Sequence, residues 1–148
     1  MPRLVGSVRL RFSDVNHDVD DVPGLYEIHT IGGRPLKVGI GGRLRRRLLQ
    51  HAASRQSCLR PVISRQIDDI RNPSELRSKG SILAKHLFFD STITSSYDLR
   101  TEGGRRAFLQ ERCRITIVYC ASLDEAIALE RRLESEVHYR YCGRVIVR

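Results

Sequence analysis

The chain has 148 residues, 41% of them hydrophobic and 29% charged, with 26 Lys and Arg against 17 Asp and Glu for a formal net charge of +9. Composition near globular averages excludes a disordered chain, and no apolar run approaches the roughly 20 residues that cross a bilayer. The positive excess, nearly all arginine, points to a polyanionic partner, and counterion release rewards DNA and RNA alike. The opening segment MPRLVGSVRLRF lacks the apolar stretch of a leader, so a cytoplasmic protein with no membrane partner is expected, folded as a single domain over 1–148.

Residues 2 to 12 alternate loosely (Leu4, Val8, Leu10, Phe12) and predict an edge strand, and Asp14 to Asp21 follows as an acidic loop. Asp14, Asn16 and Asp18 mimic the opening of a calcium loop, but Val19 stands where its sharp turn needs Gly and Leu25 where its bidentate Glu belongs. Gly24 to His29 and Leu36 to Ile40 alternate on either side of Gly32-Gly33, the pattern of a β-hairpin. Gly41-Gly42 ends the second strand, and Arg43 to about Arg55 has helical spacing, with Leu44, Leu48 and Ala52 at successive i+4 steps.

Residues 57 to 80 are polar and mixed, with a helix start signalled by Asn72-Pro73 and Glu75. Ser81 to Phe89 forms an apolar-faced helix, 90 to 102 a loop or substrate-facing insertion rich in Ser, Thr and Asp, and Gly104 to Arg112 another helix. Arg114 to Cys120 is dense in β-branched residues and predicts a central strand buried on both faces. Ser122 and Glu125 form a capping box that opens a helix carrying Leu123, Ala126, Ile127, Leu133 and Val137, and Val145 to Val147 predicts a last short strand. Cys58, Cys113, Cys120 and Cys142 form no C-x-x-C pair, and Cys113 and Cys120 read as small buried hydrophobes.

Three places carry chemistry. Glu130 stands in the helical stripe of Ala126, Ile127 and Leu133, and a buried carboxylate needs a cation, which a divalent metal or an arginine would supply; a salt bridge at the stripe's edge beside Arg131 and Glu134 is the structural alternative. Arg47 and His51, four residues apart, share a helix face at the flank of the Leu44, Leu48 and Ala52 stripe, where a guanidinium could hold a phosphate while its stem packs. Tyr26 and Lys37 sit on facing strands, and if register places them on one face, a phenol and an ammonium meet over the space left by Gly39. Arg43, Arg45, Arg46, Arg55, Lys85 and His86 are the candidate nucleic-acid contacts, although spacing singles out neither Arg45 nor Arg46, which by pattern alone read as a solvated basic face.

Taken together these residues resemble the GIY-YIG nuclease family over about residues 22 to 138. Gly24-Leu25-Tyr26 is similar to the family's first triplet and Lys37-Val38-Gly39 to the second, with lysine in place of its tyrosine. Arg47 and His51 follow at the family's spacing, Ser81-Ile82-Leu83 is similar to the polar start of its second helix, and Glu130 to its metal-binding glutamate. The family's C-terminal asparagine has no match between Tyr139 and Arg148.

The resemblance implies an α/β (α+β) fold with a small, mostly antiparallel three-stranded sheet flanked by helices, interrupted by insertions at roughly 57–80 and 88–106. It also implies an endonuclease of the restriction or mobile-element kind that hydrolyses DNA phosphodiesters with one Mg²⁺ or Mn²⁺ per active site, held by Glu130. Tyr26 would help deprotonate the attacking water, Arg47 steady the phosphate, His51 relay protons, and Lys37 tune the phenol or touch the phosphate. A homodimer would offer two such sites to a duplex. The alternative is a catalytically degenerate basic module that holds nucleic acid without cutting it.

Overall fold

A computed structural model describes residues 7–62 and 64–148. Two compact units divide the chain: Met1–Leu49 with Arg112–Cys142, and Gln50–Glu111 with Gly143–Arg148. The class is mixed α and β, as the sequence predicts, but the sheet differs from the expected three strands.

In the first unit, β1 (Val8–Leu10), β2 (Gly24–Thr30), β3 (Pro35–Gly41) and β6 (Cys113–Tyr119) form a four-stranded antiparallel sheet in the order β1-β6-β2-β3. The fourth strand is β1, at the sheet's edge, and the expectation beginning at residue 2 lies in part outside the described residues. Segment 14–21 contains more than a loop: Arg11 N–H donates to the Asp14 carboxylate at 3.0 Å, and a helical turn α1 (Val15–Asp18) follows because Phe12 and Val15 are buried. The hairpin turn closes through Gly33 at φ 93°, a conformation glycine adopts without a steric penalty.

Register puts Tyr26 opposite Gly39 and Ile117, and Ile28 opposite Lys37 and Ile115. Directly opposed residues share a sheet face, so Tyr26 and Lys37 lie on one face as diagonal neighbours. On the other face, Leu25 and Val38 pack with Leu133, Val137 and Tyr139, which brings in helix α5 (Leu123–Glu136). Ser122 caps α5 by accepting from Glu125 N–H at 3.2 Å, and the Glu125 carboxylate returns to Ala121 N–H. Beyond α5, Arg140 and Tyr141 N–H donate to the Pro35 and Leu36 carbonyls, covering part of the β3 edge.

Helix α2 (Leu44–Ala53) starts in the first unit, where Asp21 caps it by accepting from Arg46 N–H at 3.0 Å, and its last residues belong to the second. The second unit contains a two-stranded ladder of β4 (Leu59–Pro61) and β5 (Leu76–Ser78), helix α3 (Ile82–Phe88) capped by Ser81, and most of helix α4 (Glu102–Arg112). Its core joins Leu59, Ile70, Leu76, Ala84, Phe88, Phe89 and Val145. The helix signal at Asn72-Pro73 yields one 3₁₀ turn, Pro73–Glu75, with its own capping box. It stops there because Leu76 is buried as part of the β5 ladder, opposite Pro61. Val145–Val147 is not a strand; Arg148 instead exchanges backbone bonds with Phe89 and Ser91.

Candidate active site

In the first unit strand alternation puts Tyr26 and Lys37 on one sheet face with Arg47 beside the phenol, while Glu130, on the helix that packs against the other face, acts on Tyr26 and Lys37 through its charge. Tyr26 is only 1% exposed, and its ring fills the space above Gly39, where an added Cβ would stand 2.9 Å from Cε1 and closer still to the hydroxyl end. Gly41 makes similar room for the Arg47 stem. The Arg47 guanidinium donates a hydrogen bond to the phenol oxygen. Burial pushes the Tyr26 pKa up to about 12 despite the pull of that cation, and the Glu130 charge adds to the rise. The phenol therefore keeps its proton at neutral pH.

Lys37 experiences opposing influences. Burial and then the Arg47 charge lower its pKa, while Glu130, Glu134 and Cys142 pull the other way. Glu130 lies at the margin of the α5 stripe and is half-buried, whereas Ala126, Leu133 and Val137 are buried outright. Its pKa is raised by burial first and by the Glu134 charge second, against Lys37 and Arg131. Neither Lys37 nor Glu130 forms an ion pair among the described residues. The arginine partner that would make Glu130 purely structural is therefore not in contact with it, and the ammonium and carboxylate attract one another across a gap.

The other predicted residues are placed differently. His51 is fully buried in the second unit, where its Nδ1 is hydrogen-bonded to Ser81 Oγ at 2.8 Å. Ser81 Oγ also accepts from Ala84 N–H, so one hydroxyl caps α3 and anchors the imidazole. Arg43 is exposed but pairs with Asp21 at 2.8 Å, and the Asp21 carboxyl is held below its usual pKa by Arg46 N–H and by Arg43. Arg46 and Arg55 are exposed and Arg45 half-exposed. Lys85 is partly buried, which lowers its pKa. His86, read as a nucleic-acid contact, is only 5% exposed on a helix that also buries Leu83, Ala84, Leu87 and Phe88, so it belongs to the interior.

Sequence reasoning missed two features. Glu134, read from the sequence only as a neighbour of Glu130 at the stripe's edge, adds a second carboxylate whose charge acts on both Lys37 and Glu130. On the opposite sheet face, buried Glu27 accepts a 2.5 Å hydrogen bond from Tyr139, and His29 Nε2 bonds Thr116 Oγ1 at 3.2 Å. Both burial and the Glu27 bond raise the Tyr139 pKa, so that hydroxyl serves as a donor that ties the segment after α5 to the sheet.

No group of three or more His, Cys, Asp or Glu suited to a metal occurs among the described residues. Glu130 fits a different kind of site: Mg²⁺ commonly takes one or two carboxylates and keeps several waters, and a half-exposed carboxylate beside Glu134 meets that need. Among the described residues no helix is long and apolar enough to cross a membrane. No protein-family model matches the chain, and no curated protein or solved structure matches it either.

Proposed function

We propose that the chain is a divalent-metal-dependent endonuclease that hydrolyses DNA phosphodiesters by water attack, with Tyr26, Lys37, Arg47 and Glu130 as its working residues. The observation that carries this reading is the Tyr26–Arg47 hydrogen bond within the fields of Lys37 and Glu130. A phosphodiester needs positive charge where negative charge grows in the transition state, and Arg47 and Lys37 supply it. Glu130 would hold one Mg²⁺ or Mn²⁺, which when bound would neutralise charge on the leaving 3′ oxygen.

Water oxygen bonds to phosphorus as the bond to the 3′ oxygen breaks; the water gives up one proton to solvent and the 3′ oxygen takes one from it, leaving a 5′-phosphate and a 3′-hydroxyl. With a pKa pushed to about 12, Tyr26 is ionised in only about one molecule in 10⁵ at pH 7, so its resting role is to orient water or phosphate through its O–H. Arg47 holds the phenol oxygen, and its planar guanidinium suits the oxygens of a phosphate. The net charge of +9 supports the choice of a polyanion.

The test is supercoiled plasmid with Mg²⁺ or Mn²⁺, incubated with the wild type, Glu130→Ala and Tyr26→Phe. Nicking or linearisation by the wild type should fall on the order of 10²–10³-fold in Glu130→Ala, the usual scale for losing one charge-stabilising group. Equal cutting by all three proteins would sink the site. Salt-sensitive binding without cutting would favour the basic binding module instead.

A further inference from the structure

The second unit contains a cavity of about 370 Å³, a size typical of small-molecule sites. Its lining includes Arg71 and Arg100, the aromatic residues Phe88 and Tyr97, and Thr94 and Ser95. The two arginines are fixed in place by neutral groups. Arg100 Nη2 donates to the Ile67, Asp68 and Ile70 carbonyls at 3.2, 3.1 and 2.8 Å, and Arg71 Nη1 donates to the Asp68 and Ile70 carbonyls at 2.8 and 3.0 Å.

Among the described residues, the remaining guanidinium N–H groups of both arginines have no protein acceptor, and neither arginine forms an ion pair. Their charges repel: after burial, the Arg71 charge is the next cause that lowers the Arg100 pKa. Asp90 and Asp98 also line the cavity; each accepts hydrogen bonds within its own loop, and the Asp68 and Asp98 charges offset part of the effect of burial and Arg71 on Arg100. Asp90 Oδ1 accepts from Thr92 N–H, Thr92 Oγ1 and Ile93 N–H, and Asp98 Oδ1 accepts from Arg100 N–H. Two pinned, mutually repelling cations with spare donors suit an anion with several oxygens, and planar guanidinium forks match a phosphate.

The apolar part of the wall selects what the phosphate is attached to. The Arg100 guanidinium carbon lies 4.2 Å from the Phe88 ring centroid, a cation–π stack, and Tyr97 sits edge-on to Phe108 at 5.9 Å. A flat heterocycle gains most from such a surface, because bases stack on aromatic rings and on arginine planes alike. We propose that this cavity binds a phosphorylated nucleoside, with its phosphate on Arg71 and Arg100 and its base against Tyr97 and the Arg100–Phe88 stack. The nucleoside is either free or one unit of a strand. The proposal does not rest on the cleavage reading.

The test is an NMR titration of the full chain without divalent metal, using 2′-deoxyadenosine 5′-phosphate, inorganic phosphate, deoxyadenosine and a short oligodeoxynucleotide. The nucleotide should shift signals of Tyr97, Leu99 and Arg100 and bind at least about 10-fold more tightly than phosphate or nucleoside alone. Arg71→Gln, at an exposed position, should weaken the nucleotide by about 10-fold with an unchanged melting temperature, and Tyr97→Leu should weaken the nucleotide but not phosphate.

An oligonucleotide that binds about 10-fold more tightly than the mononucleotide identifies a strand unit, and equal affinity identifies a free nucleotide. Phosphate binding as tightly as the nucleotide, shifts confined elsewhere, or full affinity in Arg71→Gln would each overturn the proposal. Plasmid cutting is read separately with divalent metal. Intact cutting without nucleotide binding removes this proposal alone, and nucleotide binding without cutting removes the nuclease reading alone.

Discussion

Arg47 and Arg105 are both helical arginines drawn out of bulk water, and they differ in what surrounds them: neutral acceptors for Arg105, titratable groups for Arg47. Arg105, in the second unit, is fully buried. It donates to Ser54 Oγ at 2.9 Å, the Ser54 carbonyl at 3.0 Å, the Leu99 carbonyl at 3.1 Å and Gln56 Oε1 at 2.6 Å. Every acceptor is neutral, and burial pushes its pKa down to about 10. Arg47, in the first unit, is half-buried and shares its surroundings with a phenol, an ammonium and a carboxylate. Burial alone therefore does not mark function. Neutral partners hold a cation in one place, whereas titratable partners couple its charge to their own protonation.

Replacing each arginine with methionine separates the two roles. Arg105→Met strands several buried acceptors at once and should cost about 3–5 kcal/mol of stability, read by urea unfolding. Arg47→Met should cost only about 1–2 kcal/mol, yet slow plasmid cleavage on the order of 10²–10³-fold. Equal stability losses in the two variants would erase the distinction.

Tyr26 sharpens the comparison through pH. Its pKa is raised from 10.0 to about 12 in the folded state, so the folded protein binds the phenolic proton more tightly than the unfolded chain does. The stability this contributes is fully present below pH 10 and is lost as pH rises through 12, a decline of about 3 kcal/mol for two units. Across this window the wild type should therefore lose about that much more stability than Tyr26→Phe does. Cys113, also pushed up to about 12 by burial, is common to both proteins and cancels in the difference. Parallel loss of stability in the two proteins between pH 10 and 12 would show that Tyr26 is not the buried, protonated phenol described here.

What the sequence made legible follows from period and length. The β2–β3 hairpin, α2 and α5 each run for seven residues or more with a clear period, so their existence could be read directly, whereas the shared face of Tyr26 and Lys37 depended on a register that only the structure gives. The β4–β5 ladder could not, because its strands are three residues long and meet across a polar stretch whose strongest local signal, Asn72-Pro73, announces a helix. His51 shows the limit of spacing: i+4 from Arg47 shares its helix face, but only packing in the second unit assigns its ring to Ser81. Arg71 and Arg100 have no sequence period linking them; the carbonyls of Asp68 and Ile70 bring them together.

The smallest expected effect tests whether Tyr26 is held in place by shape as well as by Arg47. Gly39 carries no unusual backbone angle, so the case for glycine there rests on space alone: an added methyl group would run into the Tyr26 ring and hydroxyl. Gly39→Ala should cost about 1–2 kcal/mol through overpacking, and it should displace the phenol from Arg47. The alkaline loss of stability assigned to Tyr26 should then shrink. In a Tyr26→Ala background the same substitution should cost close to nothing, a coupling of about 1 kcal/mol or more in a double-mutant cycle. Additive losses would mean that the ring is free to move aside, leaving Arg47 alone to position the phenol.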